Sequence, residues 1–122
     1  MTRQMPKFTK SSPELVGRFN AVLDRHAAPD VTRRQMFGYP CAWVGGNMTT
    51  GLFAEDWWVN VDDRDRESLL AMPGGRPFEV MPGKAMGRHV VLPPDVLADD
   101  AAVDAWIDKA IAFTRTLPPK KK

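Results

Sequence analysis

Three consecutive residues that tolerate a left-handed backbone, Gly45-Gly46-Asn47, separate two apolar segments of the sequence. The first segment runs from Cys41 to Val44 and the second from Met48 to Ala54. Gly and Asn reach positive φ at little steric cost, so such a cluster between apolar segments predicts a β-hairpin. Gly51 interrupts the second segment, and an isolated Gly within a strand predicts a β-bulge. The hairpin indicates that this chain contains antiparallel β-structure.

The segment Trp57–Val61 is the clearest strand by composition, because aromatic and β-branched residues favour the extended pleated backbone. Trp57, Val59 and Val61 alternate onto one face, and Trp58 and Asn60 onto the other. Two adjacent indoles therefore require two covered surfaces. The second surface could be the N-terminal helix, a partner or a ligand, and we expect Trp58 to be exposed.

Helix signals lie at both ends of the chain. Ser11 and Glu14 have the spacing of a capping box, and apolar residues recur at helical spacing from there to Ala28, before Pro29. Asp99 begins a second amphipathic helix, which ends near Leu117. Between them we predict an extended segment from Met36, a short helix from Asp62 to Met72, and strands at Pro77–Val80 and Arg88–Leu92.

These elements predict an α+β fold. We expect an antiparallel sheet of five or six strands, packed by the N- and C-terminal helices, with one short helix between strands. A chain of 122 residues suits a single domain, which we place at residues 11–117. Residues 1–10 are predicted to be a flexible tail, and residues 118–122 a Pro/Lys tail.

The net charge of +2 is unevenly distributed. Of the 17 basic residues, three lie in residues 1–10 and three in residues 118–122, so the body keeps 11 against all 15 acidic residues. A nucleic-acid-binding domain normally carries a basic stripe on its folded surface. Nucleic-acid binding is therefore not expected, except as a weak, salt-sensitive interaction of the tails.

The chain has a single cysteine, Cys41, which cannot form an internal disulfide and suits a reducing compartment. No apolar stretch reaches the roughly 18 residues of a membrane span, and the N-terminus lacks the apolar region of a signal peptide. We expect a cytoplasmic protein that does not contact a membrane.

The order of these segments resembles the TfoX N-terminal domain family (TfoX/Sxy-like). The resemblance is carried by Arg34-Gln35-Met36-Phe37-Gly38, Cys41–Val44, the Gly-rich hairpin, Met48–Phe53, Trp57–Val61, Gly75-Arg76-Pro77-Phe78, Val91-Leu92-Pro93 and the final helix Asp99–Leu117. Tyr39-Pro40 replaces the second Gly that usually follows Met-Phe-Gly. The namesake of the family, associated with regulation of bacterial natural competence, has a separate C-terminal domain. We expect this chain to be a stand-alone N-terminal domain.

The resemblance implies no established catalytic residues and no cofactor, and the residues themselves indicate none. Cys41 with His26 or His89 is the only conceivable Cys–His nucleophile pair, and Cys41 lies in a predicted apolar strand. The acidic residues from Asp62 to Glu67 lack the spacing of a calcium loop and suit the first turn of a helix. We expect neither a catalytic nor a metal site.

The resemblance and the lack of a catalytic set together favour a non-enzymatic regulatory or protein-interaction module. The residues expected on its partner or ligand surface are Trp58, Met81, Met86, Arg33, Arg34 and Arg88. Replacing Trp58 with alanine is expected to weaken partner binding and leave the fold intact. The alternative is a domain or unrecognised enzyme that binds a small anion with its arginines. An edge strand near Phe78 could pair two copies of the chain.

Overall fold

The computed structural model describes the backbone of residues 11–36, 38–81 and 84–118, and side chains throughout these ranges except at residues 36, 79–81 and 84–88. The two predicted tails therefore lie outside the described residues, apart from Pro118. The same holds for Phe37 and for the side chains of Met81, Met86 and Arg88.

Four helices and six strands alternate irregularly along the described chain. Their order is α1 (Pro13–Arg25), β1 (Val31–Met36), β2 (Tyr39–Val44), β3 (Asn47–Phe53), β4 (Asp56–Asn60), α2 (Asp63–Ala71), β5 (Arg76–Met81), β6 (Lys84–Val91), α3 (Pro94–Leu97) and α4 (Asp100–Arg115). All strand pairs are antiparallel, and the sheet order is β1-β2-β3-β4-β6-β5. The predicted α+β fold with a five- or six-stranded antiparallel sheet is confirmed.

The hairpin between β2 and β3 turns at Gly45 and Gly46, with φ values of 59° and 85°, and Val44 pairs with Asn47. The turn prediction is confirmed, but the predicted bulge at Gly51 is wrong. Ala42 pairs with Thr50 and Trp43 with Met48, so the extra residue of the bulge is Thr49.

The bulge has a clear packing consequence, because it turns two successive threonines toward the helices. The Thr49 hydroxyl lies 2.9 Å from that of Thr114 in α4, and the Thr50 hydroxyl accepts a 2.9 Å hydrogen bond from Trp57 Nε1. Both threonines are fully buried, so these bonds satisfy polar groups that would otherwise destabilise the core.

One face of the sheet carries the helices, and we call it the helical face. Its buried apolar side chains come from every helix, from the four strands β2, β3, β4 and β6 and from residues next to them, because the apolar positions of strands alternate with those on the other face. The core there consists of Phe19, Val22, Leu23, Ala42, Val44, Leu52, Trp57, Val59, Val61, Leu69, Val90, Leu92, Val96, Val103, Ile107, Ala110 and Ile111.

The opposite face, which we call the aromatic face, has a second cluster formed by Cys41, Trp58, Phe78 and Val91. The expectation that Trp58 is exposed is wrong, since its exposed fraction is 0%. Its indole stacks on Phe78, with ring centroids 5.4 Å apart, and on His89 at 4.5 Å. The alternation of Trp57 and Trp58 onto two faces is therefore correct, but each indole belongs to a core.

The helix ends differ from the prediction by a few residues. Ser12, not Ser11, caps α1, because its hydroxyl accepts a hydrogen bond from Leu15 N at 3.2 Å. The helix ends at Arg25, three residues before the predicted end, and His26 forms its C-cap. The short helix α3 is not predicted by the sequence pattern, because four residues are too few to show helical periodicity.

None of the helices in the described part of the chain combines the length and apolar character needed to cross a bilayer.

Candidate functional site

The sheet order separates the arginines that were expected to act together. Arg33 and Arg34 lie on β1, the first strand, whereas Arg88 lies on β6, the fifth. Four strand spacings correspond to about 19 Å between backbones. A single small anion therefore cannot be held by all three, and the predicted surface residues do not form one site. Trp58 is excluded from any surface by its burial.

Arg33 points to the helical face. Its guanidinium donates to Asp24 Oδ1 at 2.7 Å and to Asn20 Oδ1 at 3.1 Å, so β1 is joined to α1 by a polar contact. Asp24 is largely exposed, and an exposed pair of this kind stabilises the fold by no more than about 1 kcal/mol. The contact mainly orients the Arg33 side chain along α1.

Arg34 points to the aromatic face, because neighbouring residues of a strand alternate. Its guanidinium carbon lies 5.1 Å from the centre of the Trp43 ring, a cation–π distance. Among the side chains that the structure describes, no carboxylate forms a salt bridge with Arg34. Arg34 thus presents a positioned positive charge beside a half-buried indole.

β1 is an edge strand, and its free edge can be identified residue by residue. Pro40, opposite Gln35, has no N–H, so this pair cannot exchange two backbone hydrogen bonds. Along an antiparallel strand, residues whose N–H and C=O point to the neighbouring strand alternate with residues whose groups point away. The N–H and C=O of Arg33 and Gln35 therefore point away from β2. Val31 fits the same pattern, since its N–H bonds to Ala28 O at 3.0 Å instead of to β2. Arg33 and Gln35 are both exposed.

The second edge strand, β5, is less open to pairing. Pro77 removes one backbone donor from it, and proline at a sheet edge is a common protection against unwanted strand pairing. Phe78 lies on β5 as predicted for an edge strand, but its side chain is buried. The two edges therefore differ, and β1 is the one with exposed residues and no proline.

Two cavities lie along β1. One of about 290 Å³ is lined by Val16, Phe19, Asn20, Arg33, Arg34, Gln35, Pro40 and Cys41. The second, of about 380 Å³, is lined by Ser11, Val16, Gln35, Gly38, Tyr39 and Pro40. Because they share three lining residues, the cavities are adjacent. We call the combination of Val31–Met36, Val16, Asn20 and Pro40 the β1-edge surface.

The contribution of α1 to this surface was not predicted. Val16 and Asn20 are four residues apart and therefore lie on one flank of the helix. That spacing is visible in the sequence, but nothing in it indicates that this flank faces β1.

The Cys–His pairs are not assembled. His26 Nε2 lies 3.1 Å from Asp104 Oδ1 on the helical side, and His89 is three strands from Cys41, about 14 Å between backbones. Burial raises the pKa of the Cys41 thiol from 9.0 to about 12, with only a weak opposing contact to the Ala42 carbonyl. A buried, protonated thiol is a poor nucleophile.

Cys41 is accordingly expected to resist alkylation. A rise of about three pKa units lowers the thiolate population about a thousand-fold near neutral pH. Iodoacetamide at pH 8 should modify the native protein at least about 100-fold more slowly than the same protein in urea. Mass spectrometry of quenched time points measures both rates. Equal rates would show that Cys41 is exposed or ionised.

The acidic residues after β4 have a structural explanation. Asp62 caps α2, accepting a 2.8 Å hydrogen bond from Asp65 N, and Asp63 and Asp65 lie in the first helical turn. Across the residues that the structure describes, no group of three or more His, Cys, Asp or Glu side chains is placed to hold a metal ion.

Comparison with known proteins identifies the family of the chain. No curated protein and no solved structure shows significant similarity to the chain. The family model described as "TfoX N-terminal domain" matches residues 24–114, which include all six strands and nearly all of α4. This match spans about three-quarters of the 122 residues, and the chain belongs to the TfoX N-terminal domain family.

Proposed function

We propose that this chain is a cytoplasmic regulatory domain without catalytic activity, and that it acts by binding another protein through the β1-edge surface. The observation that carries the proposal is an exposed six-residue edge strand beside two adjacent cavities. Exposed edge strands with pockets alongside are a recurrent mode of polypeptide recognition. Membership of the TfoX N-terminal domain family supports a regulatory role.

Affinity capture from native lysate tests this proposal. The bait is the full chain, beside two variants with the same charge reversal: Arg34→Glu on β1, and Arg64→Glu on the exposed surface of α2. We expect a stoichiometric protein that is retained by wild type and by Arg64→Glu and reduced at least about tenfold by Arg34→Glu, a loss of about 1.4 kcal/mol.

Two results would contradict the proposal in different ways. A partner retained equally by both variants would place the interaction on another surface. No partner with any bait would remove the protein-interaction function. Both variants should keep the wild-type circular-dichroism spectrum, because Arg34 and Arg64 are exposed.

A small anionic ligand in the 290 Å³ cavity is the second candidate. It is favoured by the convergence of Arg33, Asn20 and Gln35 on one concave site. Asp24 already neutralises Arg33, however, which weakens the attraction for an anion. Melting temperatures measured across a panel of anionic metabolites distinguish the two functions, since a ligand that binds the native state raises the Tm in a concentration-dependent way.

A further inference from the structure

We propose that the β1-edge surface binds an extended acidic segment of a partner protein, which adds a seventh strand to the sheet beside β1. This inference rests on the proposed function and specifies the chemistry of the partner.

The backbone supplies the first argument. By the β1–β2 register, the N–H and C=O groups of Arg33 and Gln35 face outward, and among the described residues no backbone hydrogen bond outside the strand ladders uses either N–H. These residues are two positions apart, which is the repeat at which a strand exchanges hydrogen bonds with an antiparallel neighbour. An added strand would therefore bond to both without disturbing the β1–β2 ladder.

Charge supplies the second argument. Arg34 is held over Trp43 and forms no salt bridge with any described carboxylate. A residue opposite or diagonal to Arg34 in an added strand shares its face and comes within reach of its guanidinium. A carboxylate there completes a cross-strand ion pair on the aromatic face.

The same charges argue against a second copy of the chain at this edge. In antiparallel pairing, opposite residues share a face, so the two longest pairings of β1 with itself place Arg33 opposite Arg33 of the other copy, or Arg34 opposite Arg34. Like charges directly opposite destabilise a pair of strands. Pairing of β1 with β5 of another copy meets Pro77, which lacks a backbone donor.

The cavity indicates which side chains the bound segment presents on the helical face. On the helical face, the space beside β1 is lined by Val16, Phe19 and Pro40 as well as by polar side chains. Side chains of an added strand alternate between the two faces, so the residues next to a carboxylate beside Arg34 point to this cavity. Val16, Phe19 and Pro40 favour apolar side chains at those positions. The recognised pattern is an alternation of acidic and apolar residues.

The test is a titration of the uniformly ¹⁵N-labelled full chain with an end-blocked peptide, Glu-Val-Glu-Val-Glu-Val. The matched control peptide carries Lys in place of each Glu. We expect saturable shifts centred on the amides of Arg33 and Gln35, and at least tenfold weaker binding of the Lys peptide. Affinity should fall with added salt, because the ion pair is partly exposed.

Two variants separate the backbone from the charge. Gln35→Pro removes an outward N–H and leaves the β2-facing groups intact, so the dispersed spectrum of a folded protein is expected with at least tenfold weaker peptide binding. Arg34→Glu should weaken binding of the Glu peptide tenfold and strengthen that of the Lys peptide. Arg64→Glu should change neither by more than twofold.

The proposal is overturned by the absence of saturable shifts, by shifts centred on β5, by equal binding of the two peptides, or by unchanged affinity in Gln35→Pro. The capture experiment assumes nothing about the partner's chemistry. A captured partner together with a failed titration would therefore refute the acidic strand and leave the interaction function standing.

Discussion

Replacing Trp58 with alanine is expected to lower the free energy of unfolding by about 4 kcal/mol, the range for emptying an aromatic site in a core. Trp58 is fully buried on the aromatic face, where its indole stacks between Phe78 and His89. Domains of this size are stable by only about 5–15 kcal/mol, so such a loss removes between about a quarter and most of the stability. The expectation that this substitution spares the fold depended on an exposed Trp58, and the burial of the indole contradicts that premise.

Urea denaturation followed by far-UV circular dichroism measures the effect without relying on the fluorescence of the residue removed. Trp58→Phe is the matched control and should cost much less. An aromatic ring remains, and among the residues that the structure describes Trp58 Nε1 has no hydrogen-bond partner to lose. A Trp58→Ala protein within about 1 kcal/mol of wild type would show that the aromatic face contributes little to stability.

The indole of Trp58 packs directly against the backbone of Gly51. A Cβ at Gly51 would lie 2.6 Å from Trp58 Cζ2 and 3.2 Å from Cys41 Sγ, so the indole occupies the space of the missing side chain. Gly51→Ala should therefore destabilise wild type but cost much less in the Trp58→Ala background. This coupling in a double-mutant cycle would show directly that the two residues share one site.

Gly75→Ala is the second substitution with a large expected effect, lowering the free energy of unfolding by about 3 kcal/mol. A Cβ at Gly75 would lie 1.9 Å from the Leu69 carbonyl oxygen and 2.9 Å from its carbonyl carbon. These are backbone atoms of α2, so no side-chain rotation can relieve the overlap. The connection from α2 into β5 must open instead.

Thermal unfolding should show a Tm lower by roughly 10 °C for Gly75→Ala. Gly17→Ala is the opposite control, because Gly17 is exposed in α1 and a Cβ there would meet nothing within 4 Å. That substitution should raise stability by about 0.5–1 kcal/mol, as alanine favours a helix interior over glycine. A Gly75→Ala protein as stable as wild type would mean that the close approach to Leu69 relaxes freely.

Local chemistry explains the features that could be predicted. Gly45-Gly46 forms the β2–β3 turn because glycine reaches both positive φ values at little steric cost. Trp57 and Trp58 occupy opposite faces because strand side chains alternate, and Asp62 and Asp99 cap helices because their carboxylates reach free N–H groups. The same alternation places Arg33 and Arg34 on opposite faces, which argues against a shared anion site.

The predictions that failed depend on contacts between distant segments. The bulge at Thr49 brings its hydroxyl to that of Thr114 in α4, a contact across 65 positions of sequence. Trp58 is buried because Phe78 and His89, from two later strands, stack on it. Periodicity reports which residues share a face, but it does not report how deeply that face is covered.

The sequence by itself determined the antiparallel hairpin, the two faces of the sheet, the helix caps at Asp62 and Asp99 and the family, since each depends on neighbouring residues or on their order along the chain. Only the tertiary structure decided the strand order, which separates Arg88 from β1, and the burial of Trp58. It also decided that α1 lies beside the free edge of β1 and encloses the cavities there. The physical reason is that edges, depth and cavities arise from packing between segments far apart in the chain, and a linear pattern contains no distance between such segments.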